Sequence, residues 1–107
     1  SNPGGRTSFS RVPILKAHYI VSGIVQGVGY RAFVYGIASK YGIKGFVRNL
    51  PDGTVEIFVE AQPEIVAAFE KEAFQYDRGE AEIQHIEKSY NEKELDKYHY
   101  DRFVIEH

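Results

Sequence analysis

The chain has no cysteine among its 107 residues. That removes a disulfide framework, a thiolate nucleophile and a cysteine-based zinc site together. No apolar run approaches the length of a membrane span, and no signal-peptide pattern precedes the first strand-like segment. A basic surplus is missing too: 13 Lys and Arg face 15 Asp and Glu, for a formal charge of −2. Non-specific nucleic-acid binding needs a basic surface, so nucleic acid is not an expected partner. His18, His85, His99 and His107 have no ligand spacing, so no metal site is expected. The expectation is a cytoplasmic protein, monomeric by default, with no cofactor, metal or membrane partner.

What is present is an ordinary globular composition, 43% hydrophobic and 14% aromatic, enough for one core in one domain. Residues 1–12 are rich in Gly, Ser and Arg without periodicity and read as a flexible tail, leaving 13–107 as the domain. Alternation from Leu15 to Val25 predicts a strand with Tyr19, Val21 and Val25 on one face. Phe33, Val34, Ile37, Ala38 and Tyr41 make one helical stripe, stopped by Gly42. Ile43 to Leu50 and Thr54 to Ala61 read as two strands joined by a tight turn at Leu50-Pro51-Asp52-Gly53. A second amphipathic helix is expected from Glu64 to about Tyr76, with Pro63 at its start. Ala81 to Tyr90 looks like a strand, but Ile83 and Ile86 are three apart and suggest a bulge. Asn91 to Lys97 reads as a polar connector, and Arg102 to Glu106 as a short fifth strand at a sheet edge.

The chemistry concentrates in Gly23-Ile24-Val25-Gln26-Gly27-Val28-Gly29-Tyr30-Arg31, where the first strand meets the first helix. Gly27 and Gly29 free the backbone, so that successive N–H groups can turn toward one point. The first helical turn adds unpaired donors and a partial positive charge, which together hold an anion. Arg31 in that turn is repelled by the helix dipole by roughly 0.3–1 kcal/mol, unless an anion lies between them. On spacing alone, a phosphate cradle and a plain Gly-rich connector remain equally open. With little net charge to draw an anion in, the attraction would be local, from Arg31 with Lys40, Lys44 and Arg48 as further candidates.

Gly23-x-Val25-Gln26-Gly27-Val28-Gly29-Tyr30-Arg31, followed by Gly42-x-x-Gly45-x-Val47-x-Asn49-x-x-Asp52-Gly53-x-Val55-Glu56, resembles the paired signatures of the acylphosphatase family. The likeness runs from about Tyr19 to Glu60. Three positions depart from the family pattern: Tyr30 for the commoner Phe, Ala61 for a Gly, and Gly79-Glu80 for the usual Gly-Pro. The resemblance implies hydrolysis of a small acyl phosphate to carboxylate and inorganic phosphate, without a cofactor. Arg31 and the backbone of Gln26, Gly27, Val28, Gly29 and Tyr30 would hold the phosphate, and Asn49 the attacking water. The runner-up is a non-catalytic module that binds an acyl phosphate, carbamoyl phosphate or another anion. A faint likeness of Lys44-Gly45-Phe46-Val47 to an RNA-recognition motif falls on the wrong strand for that fold.

The element order is β-α-β-β-α-β plus an extra strand. It predicts a ferredoxin-like α+β sandwich, an antiparallel sheet of four or five strands with two helices on one face. The right-handed crossover makes the first two strands parallel, with the third between them. Their carboxyl ends then share one sheet edge about 10 Å apart, so the cradle and Asn49 face one another there.

Overall fold

A computed structural model describes residues 13–90 and 92–107. The tail expected over 1–12 lies outside the described residues. The elements are β1 (Leu15–Ile24), α1 (Tyr30–Tyr41), β2 (Lys44–Asn49), β3 (Val55–Ala61), α2 (Pro63–Ala73), β4 (Glu82–Ser89), α3 (Glu92–Leu95) and β5 (Phe103–Glu106). Five strands form one sheet in the order β4-β1-β3-β2-β5. β3 lies antiparallel between β1 and β2, which leaves those two parallel, as expected of the crossover. The sheet is mixed rather than wholly antiparallel, because β5 runs parallel to β2.

One core joins the sheet to α1 and α2. Ala17, Tyr19 and Val21 of β1, Val55, Ile57 and Val59 of β3, and Val34, Ile37 and Phe69 of the helices are all buried in it. Alternation in the strands and the 3.6-residue period in the helices aim these side chains at one layer. The bulge expected in β4 lies where Ser22 pairs with His85 and Gly23 with Ile83, leaving Gln84 over. That extra residue turns Ile83 and Ile86 to the same side, and both pack on the core.

The polar connector was a misreading. Glu92–Leu95 is a short helix, and Leu95 is buried against Phe46 and Phe58 in a second cluster, separate from the core under α1 and α2. Tyr98, Tyr100 and Val104 complete this smaller cluster. One buried leucine in a charged run gives too little periodicity to reveal such a turn. Glu56, a charged residue within β3, is also buried, at 6% exposure.

α2 stops at Ala73, short of the expected Tyr76. The Tyr30 hydroxyl donates to the Ala73 carbonyl at 2.9 Å, satisfying one acceptor that the last turn leaves free. Tyr76 turns inward onto the rings of Tyr30 and Phe33. Burial of these rings outweighs the helical period that the sequence carries through Tyr76.

Candidate active site

β1 ends at Ile24, and the chain bends through residues 26–29 before α1 begins at Tyr30. Gly27 has φ 73° and Gly29 φ 82°, left-handed values that a residue with a Cβ rarely adopts. Gly29 is the N-cap of α1 and brings no side-chain hydrogen bond to it. Among the described residues, the N–H groups of Gln26, Gly27, Val28, Gly29 and Tyr30 donate to no backbone acceptor in this loop. Unpaired donors at a helix N-terminus are chemically able to bind an anion.

Two side chains brace the loop from opposite sides. Gln26 Nε2 donates to the carbonyls of Leu50 and Thr54, both at 2.8 Å, tying the loop to the β2–β3 turn. The Tyr76 hydroxyl donates to the Val28 carbonyl at 2.5 Å, turning that oxygen toward α2. The turn itself closes with Gly53 N–H on the Leu50 carbonyl at 3.1 Å, while Asp52 Oδ1 accepts from the Thr54 N–H and hydroxyl. Those two bonds hold the Asp52 carboxyl below its ordinary range.

Arg31 is the second residue of α1. Its Nη1 donates to the Glu106 carbonyl at 3.3 Å. Glu106 is the register partner of Arg48, one residue before Asn49. Arg31 therefore reaches the carboxyl ends of β2 and β5, the corner of the sheet that also carries Asn49. The side-chain oxygen of Asn49 is buried and has no hydrogen-bond partner in the protein. A buried amide oxygen left without a donor is costly unless a ligand or water supplies one.

The other expected cations are placed differently. Lys40 pairs with Glu72 at 2.7 Å, and Arg48 with Glu56 at 2.6 Å. Lys44 opens β2 at the opposite edge of the sheet. Arg31 alone of the four candidates reaches the cradle corner. No group of three or more His, Asp or Glu able to hold a metal occurs among the described residues. Reading the sequence missed the Gln26 clamp, the Tyr76 brace and the Glu106 carbonyl. A long amide in a glycine loop was a signal for the first. Tyr76 was hidden in a helical stripe, and a backbone carbonyl leaves no trace in sequence.

The model of the acylphosphatase family matches residues 17–105. An acylphosphatase of Pseudothermotoga lettingae is 55% identical over 51 residues, covering 48% of this chain and 57% of that protein. The matched stretch thus spans little more than half of that relative's length. The acylphosphatase of Bacillus subtilis superposes with a TM-score of 0.73 at 33% identity, covering 87% of this chain and 99% of that one. HypF of T. kodakarensis superposes with a TM-score of 0.72 at 35% identity, covering 85% of this chain but 12% of its own. No helix among the described residues is long and apolar enough to cross a membrane. With the family model matched over nearly the whole described chain, and a likeness to a solved member at full length, the chain belongs to the acylphosphatase family.

Proposed function

We propose that the protein hydrolyses the carboxyl–phosphate anhydride bond of small acyl phosphates. The carrying observation is the arrangement at one sheet corner: free loop N–H groups, the Arg31 guanidinium and the unpartnered Asn49 oxygen. The phosphoryl group sits on the N–H groups of Gln26 to Tyr30, and the planar guanidinium of Arg31 bonds two of its oxygens. Asn49 Oδ1 accepts from a water, and its amide nitrogen can donate to it. The water oxygen attacks phosphorus as the bond from phosphorus to the acyl oxygen breaks, and the carboxylate departs with the electron pair. The water proton passes to a phosphate oxygen or to solvent, since Asn49 is neither acid nor base. A carboxylate is a good leaving group, so no general acid is needed, and the transition state asks mainly for positioning and charge.

A second reading is a binding module without turnover, for the same fold also superposes on a 12% share of a larger protein, HypF. Release of inorganic phosphate from benzoyl phosphate by the purified protein separates the two. Steady release that persists after exhaustive chelation is expected. No release, with phosphate still bound, would leave the binding module. Loss of release on chelation and recovery with a divalent cation would overturn the metal-free mechanism.

A further inference from the structure

We infer that Arg78 forms a second anion subsite beside the cradle, selecting acyl phosphates whose acyl part carries its own negative charge. The inference rests on the proposed roles of the cradle and Asn49. In-line phosphoryl transfer puts the attacking and leaving oxygens on opposite sides of phosphorus. Asn49 ends β2, which lies to one side of β1 and its loop in the strand order β4-β1-β3-β2-β5. The acyl group therefore leaves toward the other side, that of β4. Ile24, the last residue of β1, pairs there with Glu82, the first of β4. The segment from α2 into β4 thus arrives beside the loop, and Arg78 lies in it.

Three observations suit Arg78 to the role. Its guanidinium carbon lies 5.5 Å from the Phe33 ring and 5.7 Å from the Tyr76 ring, so the group is held against aromatic faces. Tyr76 is the residue whose hydroxyl braces the Val28 carbonyl, which fixes this platform to the cradle. Arg78 is exposed and forms no ion pair among the described residues, although Asp77, Glu80 and Glu82 are close in sequence. Lys16, Lys40, Arg48 and Lys88 are each neutralised by a carboxylate. Arg31 and Arg78 thus stand on opposite flanks of the cradle, one for the phosphoryl group and one for the acyl end. The ligand class is an acyl phosphate with a second carboxylate or phosphate a few atoms from the anhydride.

The test compares benzoyl phosphate with 4-carboxybenzoyl phosphate, in wild type, Arg78→Gln and Arg78→Lys. Because Arg78 is exposed, the variants should melt like wild type. The ratio of kcat/KM for the carboxylated over the plain substrate should fall about two- to fivefold in Arg78→Gln, the size of one exposed ion pair. Most of the loss should appear in KM, with benzoyl phosphate turnover unchanged. Arg78→Lys should recover part of it, and added salt should shrink the wild-type ratio toward that of Arg78→Gln. Equal ratios in all three proteins, with benzoyl phosphate still hydrolysed, would overturn the subsite and leave the activity standing. If wild type hydrolyses neither substrate, the proposed activity fails and the subsite with it.

Discussion

Arg31 is held by competing forces. The positive end of α1 repels it, and a rather long hydrogen bond to the Glu106 carbonyl holds it in place. Without ligand these oppose one another, so Arg31→Ala should change stability by no more than about 1 kcal/mol. With phosphate the balance changes. Wild type should gain about 2.7 kcal/mol at a hundredfold excess over the dissociation constant, and Arg31→Ala nearly nothing. Thermal melts of both proteins with and without phosphate measure this, and equal gains would refute the cradle. Turnover should drop by about 10³–10⁵ in Arg31→Ala, as for other arginines that clamp a transferring phosphoryl group. Asn49→Ala should separate the two measurements, losing most turnover while phosphate affinity stays close to wild type. The places of Arg31 and Asn49 in the fold were readable, because Gly27 and Gly29 mark the loop before α1 and Pro51-Asp52-Gly53 the turn after β2, and the backbone demands of both show in sequence. Tyr76 was not, since its spacing from Phe69 and Ala73 continues the helical stripe of α2.

Between elements, the decisive joint is Gln26, whose amide spans from the loop after β1 to the turn after β2. Nothing else described ties the cradle to the turn beside Asn49 by a side-chain hydrogen bond. Gln26→Ala leaves the Leu50 and Thr54 carbonyls without that donor, and should cost about 1–2 kcal/mol. Its kinetic effect should exceed what this predicts for a merely looser fold: kcat for benzoyl phosphate falls while phosphate affinity is kept. Chemical melts and phosphate titrations on one preparation check both halves. The elements themselves were legible wherever a single face is buried, as in β1, β3 and α1. The β4 bulge was legible from the spacing of Ile83 and Ile86. α3 was not, because a single leucine among charges carries no period, and α2 was drawn too long because its cap is supplied by Tyr30 from another helix.

Across the whole molecule, the face of the sheet covered by α3 carries the least expected feature. Glu56 is buried between His18, at 2.7 Å, and Arg48, at 2.6 Å, while His18 stacks on Tyr98. Burial alone would push the Glu56 carboxyl up, but the hydrogen bonds from His18 and Arg48 prevail and hold it below its unfolded value of 4.5. A lowered carboxyl stabilises the folded state above the unfolded value, and that stability disappears as pH falls through the folded one. Acid titration of the melting temperature should show the loss below about pH 4.5. Glu56→Gln should cost about 1–3 kcal/mol at neutral pH and flatten that acid limb. An acid limb unchanged by the substitution would place the sensitive carboxylate elsewhere. None of this was visible in sequence, where Glu56 simply alternates with core residues of β3.

β5 is four residues long, lies at the sheet edge and carries the carbonyl that holds Arg31. Short edge strands are where a native structure opens first. Each time β5 detaches, the guanidinium loses its rest position, so the edge of the sheet becomes part of the site's dynamics. Phosphate that binds only the closed arrangement should slow amide hydrogen exchange in Phe103–Glu106, although those residues lie on a different strand from the cradle. The opening of one weak strand would then set the fraction of molecules ready to bind. A substitution in β5, outside the loop that would hold the anion, would change apparent affinity by changing that fraction.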